Sequence, residues 1–262
     1  MVDAEQNGLR APGTGEEAPE GLLALVTATQ AEMRAALAGL GSVAREGMPE
    51  IPVRGAATAR VAGRDVLLVV TGVGPVNAAL ELGAALGRFD VSGVLSLGVA
   101  GSYNLDAAQL TAAVAADAEV YAEYGVVGPD GLADASGFAF PQLRAQGQVV
   151  VQRVALDPEA SARAMGLWLA DGVLTGTAVT VAGITGCPER AVTLAERHGA
   201  LTESMEGFAL ALGCASRGLP FLEVRTISNR VGERNRAHWK LDEALAGLGA
   251  LLAGLMKGPG PR

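Results

Sequence analysis

Residues 202 to 211 read TESMEGFALA: a short strand-like run ends in Met205 and Glu206, and a small-residue helix starts at Gly207. A strand handing over to a helix within two residues is the basic unit of α/β architecture. It sets the Glu206 carboxylate at the mouth of a sheet, beside a helix N-terminus. A carboxylate fixed there can accept a hydrogen bond from each of two adjacent sugar hydroxyls. It can equally be a first-turn acid favoured by the helix dipole, worth about 0.3–1 kcal/mol. The stretch alone leaves both readings open.

The same rhythm runs outward in both directions. LLALVTA (22 to 28) predicts a buried strand, with a helix from about residue 30. Residues 60 to 74 predict a hairpin arm and a second buried strand. A helix over 75 to 88 follows, with Pro75 in its first turn. GVLSLGVAG (93 to 101), residues 112 to 121 and residues 148 to 154 read as strands, with a Gly-rich polar loop at 122 to 140. Then come a helix at 158 to 170, a strand within 173 to 184, a helix from Pro188 to His198, and FLEVRTISN (221 to 229) as the last strand. A helix over 237 to 256 closes the chain. Strands fed by helices predict an α/β fold: a three-layer αβα sandwich around a mixed, largely parallel sheet. With no internal repeat or long linker, residues 21 to 256 are expected to form a single domain.

Ligands of open α/β sheets bind beyond the carboxyl ends of the strands. Thr71 to Gly74, Val99 to Gly101, Gly183 with Ile184, Met205 with Glu206, and Ser228 with Asn229 all fall there, and Glu32 follows the first strand by one helical turn. Each has a bland account, as helix-packing glycine, solvated acid or cap. Their conjunction is the stronger signal. GVG lacks the GxGxxG spacing of a dinucleotide site.

Composition narrows the classes. The chain has 262 residues, is half hydrophobic, and carries a formal charge of −8. No basic stripe points to nucleic acid, and no apolar run of ~18 residues points to a membrane span. Five acids against Arg10 sit in residues 1 to 20. This segment reads as a disordered acidic leader and not a secretory signal; residues 257 to 262 read as a flexible tail. Cys187 and Cys214 are expected to be reduced thiols in a cytoplasmic protein. His198 with Gly199 reads as a helix end, and His238 precedes Trp239 on a surface helix. Neither histidine has metal-ligand spacing, so no metal site is expected.

These strand ends resemble the purine nucleoside phosphorylase and uridine phosphorylase superfamily over about residues 21 to 255. The carriers are ATQAE (28 to 32), TGVG (71 to 74), GVAG (98 to 101), the Met205–Glu206 pair and RTISN (225 to 229). The hydrolytic branch fits best: nucleosidases of methylthioadenosine and S-adenosylhomocysteine, and futalosine hydrolases. The resemblance implies that Glu32 activates the water nucleophile, with Arg225 and Thr71 holding that water. It also implies that Glu206 binds the ribose hydroxyls and Met205 packs on the sugar. Val99, Ala100 and Gly101 would line the base and nucleophile region, Gly183 and Ile184 the base, and Asn229 would address the purine ring.

An acid at position 32, where the phosphorylases present a phosphate-binding arginine loop, implies hydrolysis over phosphorolysis. The adenosine-type nucleosidases carry aspartate where Asn229 stands. An amide donates but cannot act as an acid, which suits the acceptors of a 6-oxopurine. The implied substrate is therefore futalosine and the leaving base hypoxanthine. Rival expectations are methylthioadenosine/S-adenosylhomocysteine nucleosidase and purine nucleoside phosphorylase. A nucleoside is the implied partner, with no cofactor, no membrane and a homo-oligomer of two or more copies. Arg230, Arg234 and Arg236 are candidates for the carboxylate beyond C5′ of futalosine; a solvated cluster with Glu233 is the competing account.

Overall fold

The computed structural model describes residues 21–40, 49–50, 52–129, 131–145 and 147–257. The leader expected at 1 to 20, and all of the expected tail but Lys257, lie outside the described residues. Strands β1 (Leu22–Thr27) and β3 (Arg64–Val70) form the parallel centre of one half of the sheet, edged by β2 (Gly55–Val61) antiparallel to β3. Their side chains alternate between two cores. Leu23, Leu25, Val66, Leu68 and Val70 join one cluster, while Ala24, Val26, Leu67 and Val69 join the other. Near-continuous apolar runs are what a parallel sheet covered on both faces requires.

Helices α1 (Gln30–Ala38), α3 (Pro158–Ala164) and α6 (Leu241–Met256) supply Met33, Ala162 and Leu248 to the first core. Helices α2 (Pro75–Leu86) and α5 (Gly207–Arg217) supply Leu82 and Phe208 to the second. Helix α4 (Pro188–His198) packs on a smaller cluster through Leu194. The expected αβα sandwich is the fold observed.

The second half of the sheet is more closed than a sandwich. Strand β4 (Val91–Ser102) pairs in parallel with β1 and with β13 (Phe221–Arg230), and its end pairs antiparallel with β12 (Ala200–Ser204). β13 also pairs with β5 (Ala113–Tyr121), which pairs with β11 (Leu174–Thr180), which pairs with β12. The path β4–β13–β5–β11–β12 therefore returns to β4 as a ring. It brings the ends of β4, β12 and β13 together.

Three segments differ from the expected elements. Helix α3 stops at Ala164, short of residue 170, because Gly166 adopts a left-handed φ of 65°. The run 148 to 154 divides into β9 (Gln148–Val150), paired with β8 (Leu143–Ala145), and β10 (Arg153–Ala155), which edges β5. The last helix begins at Leu241, after a separate short turn at Arg236–His238. The loop at 122 to 140 holds two short paired strands, β6 (Val126–Val127) and β7 (Ala133–Asp134). Among the described residues no helix is long and apolar enough to cross a membrane.

Candidate active site

Where the ends of β4, β12 and β13 converge, a cavity of about 230 Å³ opens beyond the strands. Eight of the expected site residues line it: Glu32, Val99, Ala100, Gly101, Ile184, Met205, Glu206 and Asn229. Glu32 and Glu206, distant in sequence, therefore face one hollow.

Glu32 is placed by local chemistry. Thr29 caps α1, its hydroxyl accepting the Glu32 N–H at 3.2 Å. In return Glu32 Oε2 accepts from the Thr29 N–H and hydroxyl, each at 2.9 Å. This reciprocal capping box follows the T-x-x-E spacing of residues 29 to 32. That signal stood in the sequence unused. Glu32 Oε1 meanwhile accepts the Val99 N–H at 3.1 Å, tying α1 to the end of β4. The acid is thus both a cap and a wall of the cavity.

Glu206 sits at the start of α5, where its side chain makes no cap bond. It reaches across instead to accept the Gly74 N–H at 2.8 Å through Oε1. Gly74 presents that N–H with φ of 100°, a conformation that favours glycine. Glu206 Oε2 lies 3.8 Å from Arg225 Nη1. Burial raises the Glu206 pKa above the usual carboxylate range, while Arg225 and the Gly74 N–H pull it back.

Arg225 does not line the cavity. It is 3% exposed and stands behind Glu206. Its Nη2 donates to Glu223 Oε2 at 3.2 Å and to Ser96 at 3.4 Å, and its Nε lies 3.1 Å from Glu223 Oε1 without hydrogen-bond alignment. Burial alone would lower its pKa, but Glu223, Glu206 and Glu32 together hold the guanidinium above its ordinary value. Gly98 makes the crowding possible. A Cβ there would collide with Arg225 Nη1 and stand 2.7 Å from Glu32 Oε1.

Thr71 and Gly183 also fall outside the lining. The buried Thr71 hydroxyl donates to the Gly72 carbonyl at 2.8 Å. Gly183 is exposed on the loop that carries Ile184. That loop is held over the cavity by two acids. Glu203 accepts from the Thr185 N–H at 3.0 Å and from Tyr103 at 2.8 Å, and Glu123 accepts the Ala182 N–H at 3.1 Å. Asn229 Oδ1 accepts from Ser228 at 2.8 Å, and its Nδ2 donates to the Arg230 carbonyl at 2.8 Å. One amide hydrogen and one oxygen lone pair stay available.

The structure adds a wall that the sequence reading left at the margin. Glu233, Arg234, Trp239 and Leu241 line the cavity mouth. The Arg234 guanidinium lies 5.7 Å from the Trp239 ring centroid, and Trp239 Nε1 donates to the Glu233 carbonyl at 3.1 Å. His238 is exposed and 2.9 Å from Glu233, outside the cavity. Arg230 and Arg236 do not reach the lining. Cys187 and Cys214 are free thiols, and among the described residues no His, Cys, Asp and Glu group forms a metal cage.

The phosphorylase superfamily model matches residues 22–256. The chain belongs to that family. A futalosine hydrolase of Thermus thermophilus is 36% identical over 189 residues, covering 71% of this chain and 79% of that protein. One from Acidothermus cellulolyticus is 34% identical over 236 residues, covering 86% and 89%. In fold, the chain matches a crystal structure of a mutant Helicobacter pylori MTAN with 5′-methylthioadenosine in its active site. There the TM-score is 0.69 at 20% identity, over 89% of this chain and 96% of that one.

The crowding at Gly98 is directly testable. G98A is expected to cost about 1–3 kcal/mol by overpacking, read as a lower urea midpoint; an unchanged midpoint would mean that Arg225 and Glu32 separate freely.

Proposed function

We propose that the protein hydrolyses the N-glycosidic bond of futalosine, releasing hypoxanthine and dehypoxanthine futalosine, a step of menaquinone biosynthesis by the futalosine pathway. Two curated futalosine hydrolases at 34% and 36% identity support this reading. The single observation that carries the chemistry is that Glu32, Glu206 and Asn229 share one cavity. Residues 21 to 256 act as one nucleosidase domain, needing neither metal nor organic cofactor.

Breaking the bond builds positive charge on the ribose and negative charge on the departing base. A site accelerates the step only by holding these charges better in the transition state than in the ground state. Glu206 accepts from the 2′- and 3′-hydroxyls and sets negative charge beside the sugar. Arg225 opposes the rise that burial gives the Glu206 pKa. Glu32 retains lone pairs beyond its capping bonds and takes a proton from the attacking water. Asn229 gives its remaining amide hydrogen to the 6-oxopurine. Met205 packs on the sugar, Val99 to Gly101 back the base, and Ile184 covers it. Gly183 lies on the cover loop beside Ile184, and the Thr71 hydroxyl bonds to Gly72 in the turn that presents Gly74.

Activity is read as free hypoxanthine from futalosine, inosine and methylthioadenosine, with and without phosphate. Futalosine is expected to be cleaved fastest and independently of phosphate; phosphate dependence, or preference for methylthioadenosine, would overturn the assignment. E32Q should lower kcat by about 10²–10⁴-fold, the usual worth of a general base. Near-normal turnover would remove Glu32 from the chemistry.

Arg234 and Trp239 form the end of the cavity that would meet the substrate's distal aromatic carboxylate, the arginine by paired hydrogen bonds and the indole by its face. R234A should raise KM for futalosine about tenfold or more, the worth of one charged hydrogen bond, and leave inosine unchanged. Equal effects on both nucleosides would exclude this contact.

The working form is a cytoplasmic homo-oligomer, in keeping with the two reduced thiols and the exposed Val126, Val127 and Phe140 of the 122 to 140 loop. Sedimentation velocity should show a dimer or larger species; a monomer at micromolar concentration would refute it.

A further inference from the structure

Beneath the cavity, behind Arg225, lies a second pair of acids that the proposed chemistry does not use. Glu119 on β5 is fully buried, and Glu223 on β13 is 1% exposed. Their carboxylates meet under the first turn of α5. A Cβ at Gly207 would collide with Glu119 Oε1 and stand 2.6 Å from Glu223 Oε2. Two ionised carboxylates so close in a dry interior repel strongly, and such pairs share a proton.

Hydrogen-bond accounting says where the proton sits. The Thr180 hydroxyl accepts the Phe208 N–H at 2.7 Å, so its own hydrogen is free to go to Glu119 Oε2 at 2.9 Å. Glu119 Oε1 then has no donor at all, although it is buried. Glu223 faces the Arg225 guanidinium through both its oxygens. A hydrogen held between the two carboxylates would satisfy the orphaned Glu119 Oε1, and Arg225 beside both Glu223 oxygens places it on Glu119, as the donor to Glu223. Around this pair the charged groups are Arg225 on β13, then Glu206 and Glu32 beyond it. β11 presents Thr180, β4 presents Ser96, and α5 presents backbone N–H groups.

We infer that Glu119 and Glu223 hold one shared proton, resident on Glu119, and act as positioning residues that aim Arg225 at Glu206. Protonated Glu119 steadies Glu223, Glu223 orients the Nε–Nη2 edge of the guanidinium, and the remaining Nη1 faces the sugar-binding acid. The pair thereby fixes the geometry and charge of Glu206 without touching substrate. Burial, then Glu223, raise the Glu119 pKa well above the usual range. The sign for stability follows. The folded state keeps a proton that the unfolded chain loses near the ordinary carboxylate value. This contribution is full below that value and is lost as pH rises through the folded pKa.

The catalytic consequence rests on the function proposed above, but the proton itself can be read without substrate. Infrared spectra of the ligand-free enzyme at pH 7 should show the C=O stretch of a protonated carboxyl group, absent in E119Q. Unfolding by urea across pH 5 to 9 should show stability falling less steeply in E119Q than in the wild type. With futalosine, E119Q, a neutral mimic, should keep kcat within about threefold. E223Q should lose about 10²-fold, the scale of a misplaced catalytic group, with E223D recovering part of it. A missing infrared band, a band that survives in E119Q, or equal losses in E119Q and E223Q would overturn the inference. Inactivity of the wild type on futalosine, with the band present, would instead count against the substrate alone.

Discussion

A single buried cation organises this site. Arg225 is nearly inaccessible to water, and an unpaired guanidinium there would be strongly destabilising. Glu223 flanks its Nε–Nη2 edge and Glu206 lies near Nη1, so the ion sits among fixed carboxyl groups. Glu223 makes the closer contacts to Arg225, while Glu206 turns its other oxygen to the Gly74 N–H and faces the cavity. Four elements are held in one arrangement by this chain of charges: β4 through Ser96, β13 through Arg225, the start of α5 through Glu206 and the turn before α2 through Gly74.

The backbone provides the frame in which those charges meet. β4 is the strand shared by both halves of the sheet, and its end changes partner from β1 to β12. Closing the ring through β13, β5 and β11 draws Met205 and Glu206 opposite Val99 to Gly101. Glu32 arrives from the other side, on a helix whose first turn it caps itself. An arrangement built on backbone N–H groups and strand ends is rigid, as a site that must discriminate a transition state requires.

Much of this was legible along the chain. Pro188 to His198 could be read as a helix residue by residue, because Pro opens it and Gly199 closes it in the left-handed conformation. The apolar runs of β1, β3, β4 and β13 declared a sheet covered on both faces. Other features resisted. Helix α3 is cut short by Gly166, and residues 148 to 155 split because the flanking hairpin pulls one half off the main sheet. Arg234 and Trp239 sit in a stretch rich in charge, where a solvated cluster and a cavity wall have the same composition.

The sequence by itself determined the elements, their order and the family, because caps, turns and hydrophobic periodicity are properties of neighbours in the chain. It also marked Glu32, Glu206, Arg225 and Asn229 as residues at strand or helix ends. Only the tertiary structure decided that Arg225 stands behind the cavity while Glu32 and Glu206 line it, and that Glu119 and Glu223 lie together beneath. Those relations depend on which strands become neighbours when the sheet closes. Burial, distance and the sharing of charge have no local signature, for they arise only where remote segments cross.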